Sequence, residues 1–246
     1  MITFKELGSL GRMGNMLFQS AATIALAKRH GDDYLFPNCS LEKFTNIPLS
    51  KFSNNLPQHT NSYQEPYFHY KEIPYKPNMN LGGSYFQSYK YFEDCKEEII
   101  NLMMPPHHFE RALGLCALHV RRGDYIKLAD YHPTQPMSYY EKAIELSGSK
   151  RFLVFSDDIE WCKKNFIGNQ FEFAEGNSDV ADLALMAKKC ESNIICNSSF
   201  SWWGAYLNTN PNKPKRMATP AIRERREIDR SSHSSKFILD PCSNMY

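Results

Sequence analysis

From Leu113 to Asn208 the sequence alternates short apolar runs with stretches of helical periodicity, and nothing else in the chain restricts the fold as much. The apolar runs are Leu113–Val120, Arg151–Phe155, Phe171–Ala174 and Asn193–Cys196. Helical patterns at Ser138–Ser147, Ile159–Asn165, Asp179–Cys190 and Trp202–Asn208 fall between or after them. Strands that take turns with helices pair in parallel, because a parallel connection needs a crossover of about a dozen residues. This half therefore predicts a Rossmann-like domain, with polar residues gathered at the carboxyl ends of its strands, where open α/β sheets bind ligands.

The first half is less regular. Ile2–Leu7 predicts a short strand, Gly8–Asn15 a glycine-rich turn, and Met16–His30 a helix whose apolar positions Leu17, Phe18, Ala21, Ile24, Ala25 and Ala27 recur at helical spacing before Gly31 stops it. From Phe36 to Asn80 the prolines at 37, 48, 57, 66, 74 and 77 break any long helix, so loops and short strands are expected. Gly82–Gln87 suits a strand end, and Tyr91–Met103 a helix closed by Pro105-Pro106. That proline pair divides the chain into expected domains 1–106 and 107–246.

Composition removes several classes of function. With 29 basic and 27 acidic residues in 246, no overall field draws nucleic acid or an anionic bilayer. Seven cysteines, an odd number with no CxxC, suit reduced thiols in a cytoplasmic protein. No apolar segment approaches the ~20 residues that span a bilayer, which leaves open only peripheral attachment at the inner membrane. The tail from about Thr209 carries Arg216, Arg223, Arg225, Arg226 and Arg230 with few aromatics for base stacking, so a solvated surface is expected rather than an RNA-binding arm.

The chemistry-bearing residues sit where strands end. Leu118–Val120 runs into Arg121-Arg122-Gly123-Asp124, and guanidinium matches phosphate oxygens two at a time where lysine offers a mobile point charge. A diphosphate suits Arg121 and Arg122; surface ion pairs with Asp124 or Asp130 are the alternative. Gly11-Arg12-Met13-Gly14-Asn15 suits a phosphate or sugar clamp at a helix N-terminus, or a plain tight turn; it is neither G-x-G-x-x-G nor a P-loop. Asp157-Asp158 suits ribose, guanine or a metal, but Ser156 and these acids also suit helix capping. Asp179 reads as an N-cap, and Asp182 as an acceptor for a base edge with adjacent N–H donors or as a helix-dipole partner. Asn197–Trp203, with Ser198 and Ser199 at a helix start and Phe200 behind them, suits a second anion site. Together these loops fit a nucleotide diphosphate bearing a sugar better than a bare phosphate. H-E-x-x-H, G-x-S-x-G, kinase loops and zinc spacings are absent.

Taken in order, GRMGNMLFQSA, GSYFQSYKYFED, HVRRGDY, FSDDIEWC and DLALMAKKCESNIICNSSFSWWGAYLN resemble the bacterial α-1,2-fucosyltransferases, glycosyltransferase family eleven, over most of the chain from Gly11 to Asn208. The resemblance implies an α/β fold in a GT-B arrangement of two Rossmann-like domains with mainly parallel sheets. It also implies a galactose-terminated glycan acceptor on the side of residues 1–106 and GDP-fucose as donor on 107–246, with inversion at the anomeric carbon and neither metal nor cofactor. By the same resemblance Arg121 holds the donor β-phosphate, His119 and Asp182 contact guanosine, and Ser198, Ser199 and Phe200 form the phosphate-binding helix start. Arg12 and Asn15, with Gly14 between them, match a loop that faces the transferred sugar and diphosphate. Asp124 is left between acceptor base and brace for the arginines. The family usually continues past the tryptophan-rich helix with an apolar strand, whereas this chain reads Asn210-Pro211-Asn212-Lys213-Pro214-Lys215-Arg216.

Overall fold

Both halves of the chain build a parallel four-stranded sheet. The computed structural model describes residues 1–66, 69–129 and 132–211, together with the backbone of two antiparallel strands, Ala218–Pro220 and Phe237–Leu239. It divides into two units, Met1–Pro106 and His107–Tyr246. The arginines at 216, 223, 225, 226 and 230, and Asp130, lie outside the described residues.

In the first unit, β1 (Ile2–Thr3) lies between β2 (Tyr34–Leu35) and β4 (Met79–Leu81), with β3 (Asn61–Tyr63) beyond β4 and every pairing parallel. The first strand is shorter than its apolar pattern suggests. After Phe4 the Glu6 carbonyl accepts the N–H groups of Ser9 and Leu10, and Gly8, at φ 91°, turns the chain. Helix α1 (Met13–Arg29) begins earlier than the periodicity does, with Arg12 as its N-cap. Gly14 and Asn15 are thus first-turn helical residues, not loop, and Gly14 is buried. Only Gly11 of the two motif glycines uses the left-handed backbone, at φ 85°. The Gly82–Gln87 segment follows β4 as irregular backbone rather than extending it. The expected helix at Tyr91–Met103 is regular only as α2 (Lys96–Met103), after two short 3-10 turns.

The second unit orders its strands β7-β6-β5-β8: β5 (Ala112–Val120), β6 (Arg151–Ser156), β7 (Phe171–Phe173) and β8 (Cys190–Ile194), all parallel. Successive residues of the central β5 serve opposite faces, as the period of two requires. Cys116, Leu118 and Val120 pack with Tyr140, Phe152 and Val154, whereas Leu115 and Ala117 pack with Leu153, Phe155 and Met186. Burial on both faces explains the apolar run from Leu115, while Leu113 is exposed. Among the described residues four helices connect the strands, α3 (Gly123–Lys127), α4 (Met137–Ser147), α5 (Ile159–Asn165) and α6 (Asp179–Ala184), and α7 (Ser199–Tyr206) follows β8. The helix expected to reach Cys190 loosens into a π turn at Leu185–Lys189, and β8 starts directly after it, ahead of the expected Asn193.

The chain beyond α7 is not all solvated surface. Asn208 and Asn210 are buried, donating from Asn208 Nδ2 to the Cys190 carbonyl (3.0 Å) and from Asn210 Nδ2 to the Glu191 carbonyl (2.9 Å). Side-chain amides here satisfy β8 backbone that no further described strand reaches. No helix among the described residues is long and apolar enough to cross a membrane.

Candidate functional site

The chain runs from β5 outward through β6 to β7, then returns to place β8 on the other flank of β5. That reversal makes a topological switch point at the carboxyl ends of β5 and β8, the place where doubly wound sheets take ligands. His119 is the second-last residue of β5, and Arg121 follows directly after its last, Val120.

Arg121 is held on both arms. Its NH2 donates to Asp124 Oδ1 (2.7 Å), its NH1 meets Asp157 Oδ2 (3.1 Å), and its side chain is 16% exposed. The guanidinium also lies 5.4 Å from the Tyr125 ring centre. Arg122 turns elsewhere: Nε donates to Asp158 Oδ2 (3.1 Å) and the group lies over the Trp161 ring at 4.0 Å. Both arginines therefore make ion pairs, with Asp157 and Asp158 in the set the sequence suggested for capping. Asp158 is the N-cap of α5 and accepts from Trp161 N–H (3.2 Å). Asp157 caps nothing. It accepts the Arg122 backbone N–H (2.9 Å) and its carboxylate occupies the space that a Cβ on residue 123 would need, so Gly123 is what lets the carboxylate in. The β5–β6 register, with Val120 opposite Ser156, sets the two arginines beside the two aspartates.

His119 is buried. Its Nδ1 lies 3.0 Å from Cys196 Sγ and its ring packs 5.7 Å from Phe200. Burial, with Arg121 nearby, lowers its pKa to about 3, so the imidazole is neutral. Burial raises the Cys196 thiol to about 12, so it keeps its proton. Ser198 is the N-cap of α7, and its carbonyl accepts from Trp202 N–H (3.1 Å) and Ser201 Oγ (3.3 Å). Ser199 opens the helix. Beside them Asn197 Oδ1 is buried with no partner among the described residues, while its Nδ2 donates to the Pro133 carbonyl (2.8 Å).

Asp182 lies within α6; Ser178, not Asp179, is the N-cap, because its hydroxyl accepts the Ala181 N–H. Burial raises the Asp182 pKa to about 6, with Asp179 adding and the Asn177 amide, donating at 3.0 Å, opposing. In the first unit Arg12, Gly14 and Asn15 head α1, and Asn15 Oδ1 accepts from Gln87 Nε2 (2.6 Å). The bracing of Arg121 by Asp157 and the roles of Cys196 and Gln87 are not legible in the sequence. Only the matched Arg-Arg and Asp-Asp pairs after neighbouring parallel strands carry a signal for the first.

Residues 17–223 match the model of Glycosyl transferase family 11. The O-antigen biosynthesis glycosyltransferase WbnK of Escherichia coli is 29% identical over 272 residues, covering 82% of this chain and 90% of its own length. The alpha-1,2-colitosyltransferase of Escherichia coli is 34% identical over 166 residues, 57% of each chain. Galactoside alpha-(1,2)-fucosyltransferase 2 of Oryctolagus cuniculus is 25% identical over 82% of this chain and 66% of its own. A crystal structure of POFUT1 in complex with GDP matches at 15% identity and a TM-score of 0.48, over 89% of this chain and 97% of that one.

Proposed function

Because the chain belongs to glycosyl transferase family 11, we propose that it transfers L-fucose from GDP-β-L-fucose, with inversion and without a metal, to the 2-hydroxyl of a terminal galactoside. The observation that carries this reading is Arg121, a guanidinium fixed by two carboxylates at the carboxyl end of the central strand. As the fucosyl bond breaks, negative charge grows on the departing diphosphate. A cation already oriented by Asp124 and Asp157 stabilises that charge without reorganising when it appears. The start of α7 at Ser198 and Ser199 adds backbone N–H groups on the same strand edge. Neutral His119 serves as an uncharged contact for the nucleoside, and Asp182, when ionised, accepts from the adjacent N–H groups of guanine. The ion pair with Arg121 supports Asp124 as a brace rather than as the base that takes the acceptor proton.

The name of the second bacterial relative supports colitose as an alternative transferred sugar. The test is a transfer assay with GDP-fucose and GDP-colitose side by side, against lactose and lacto-series galactosides, with linkage analysis and with EDTA present. The expected product is an α-1,2-linked fucoside formed equally well in EDTA. Product from GDP-colitose alone moves the assignment to that sugar. Binding of GDP-fucose with no product from any galactoside makes the chain a nucleotide-sugar binding protein instead.

A further inference from the structure

The motif GSYFQSYKYF has no part in the chemistry described so far, yet it holds one of the two non-glycine residues at positive φ among the described residues. Phe86 stands at φ 51°, a region that a bulky residue enters only when its surroundings hold it there. The surroundings do. Glu65 Oε2 accepts the Phe86 N–H (2.8 Å), Glu65 Oε1 accepts from the Tyr91 hydroxyl (2.8 Å), and the Glu65 N–H donates to Ser84 Oγ (2.7 Å). The Phe86 ring is wholly buried, edge-on to Phe4 and Tyr91.

What this conformation delivers is the next residue. Gln87 Nε2 donates to Asn15 Oδ1 at 2.6 Å, across 72 positions of sequence. With its oxygen taken, Asn15 turns its Nδ2 toward Gly11, so close that a Cβ on residue 11 would collide with it. Asn15 belongs to the motif whose resemblance assigns it to the transferred sugar and diphosphate. We propose that Gln87 is a positioning residue for transfer: by holding Asn15 Oδ1 it fixes which end of that amide faces the glycine-rich turn. The Glu65 carboxylate and the left-handed Phe86 backbone aim Gln87. The effect on rate rests on the fucosyl-transfer reading, but the Gln87–Asn15 link does not.

Four variants of the full chain test it: Gln87→Leu, Gln87→Glu, Asn15→Ala, and Gln87→Leu combined with Asn15→Ala. Gln87→Leu is expected to lower kcat by ~10-fold to ~100-fold while the KM for donor moves little, the penalty for a misplaced orienting group. Gln87→Glu should do at least as badly, because a carboxylate cannot donate to the oxygen and attracts the amide nitrogen, inverting Asn15. The double variant should lose no more than the worse single one. In unliganded protein the Asn15 side-chain NH₂ resonances should shift in both Gln87 variants with the remaining spectrum folded. Wild-type turnover in Gln87→Leu, unmoved Asn15 resonances, or losses that multiply in the double variant would each overturn the inference. A wild-type protein that fails with GDP-fucose overturns the fucosyl reading instead, and the resonances still decide the link.

Discussion

The two sheets end in opposite chemistries. At the carboxyl edge of the second unit, Arg121 and Arg122 interlock with Asp124, Asp157 and Asp158. At the corresponding edge of the first unit the loops are stapled mostly by neutral amides, with the Glu65 carboxylate as the charged exception. Gln19 Nε2 bridges the Leu10 and Ser84 carbonyls (3.1 Å each), Gln64 donates to the Gly83 carbonyl (3.1 Å), and Gln87 holds Asn15. Charge that must answer a diphosphate needs counter-charges to fix its direction and limit its desolvation. Loops that need only a fixed shape can use amides, which offer donor and acceptor without a field. One edge is braced by ion pairs, the other mostly by amides.

The largest effect should come from changing the form of the charge while keeping its sign. Arg121→Lys retains a cation but loses the planar fork that meets Asp124 and Asp157 on separate arms. Transfer should fall by ~10²-fold to ~10³-fold, the usual cost of losing a preoriented donor to developing negative charge. Steady-state kinetics decide it, and turnover near wild type would mean that the charged edge needs only net charge.

The matching break in the first unit should act on stability. Gln19 is fully buried, so Gln19→Leu leaves the Leu10 and Ser84 carbonyls without their shared donor. A loss of about 2 kcal/mol is expected, an unmade hydrogen bond being costlier than a made one is favourable. The gain from removing its unpartnered Oε1 is smaller. Denaturant unfolding measures this; an unchanged midpoint would mean that the amide staples do not hold the edge.

How much of this contrast could be read in the sequence follows from what each part depends on. The central strand and its terminal Arg121 were legible, because an apolar run buried on both faces that ends in charge is local information. Parallel pairing followed from the strand–helix alternation. The start of α1 is hard to read because Gly14-Asn15 looks like loop, although helix propensity there yields to burial of most of the helix. The β8 boundary was misplaced because a π turn ends α6 without any glycine or proline to mark it. The pairing of Arg121 with Asp157 depends on strand register, and that of Gln87 with Asn15 on a left-handed Phe86. Neither is written in spacing.

Asp182 tests the charged edge by pH. Its folded-state pKa, raised to about 6 mainly by burial, lies above its ordinary 3.8. As pH falls through 6 the carboxylate gains a proton and can no longer accept from two N–H groups. GDP-fucose affinity should therefore fall about 10-fold between pH 7 and 5 if only the ionised form binds. Stability moves the other way: the folded state holds the proton more tightly, so this contribution is present below pH 4 and lost as pH rises through 6. Calorimetric binding and unfolding across that range check both signs, and Asp182→Asn should flatten both. Parallel slopes would exclude Asp182 as the shared cause.

The smallest effect asks whether the two arginines really divide their labour. Arg122 stacks on Trp161 and pairs with Asp158 at the start of α5, while its backbone N–H is held by Asp157. Trp161→Leu removes the ring beneath the guanidinium and some packing against Phe166 and its neighbours. A cation over an indole is worth roughly 1 kcal/mol, so a modest fall in thermal midpoint is expected, with turnover close to wild type. That outcome keeps Arg122 as support for the loop and Arg121 as the group that meets the ligand. A loss of turnover near that of Arg121→Lys would instead mean that the guanidinium–carboxylate lattice acts as one unit, with the stack on Trp161 setting the position of Arg121 through Asp157.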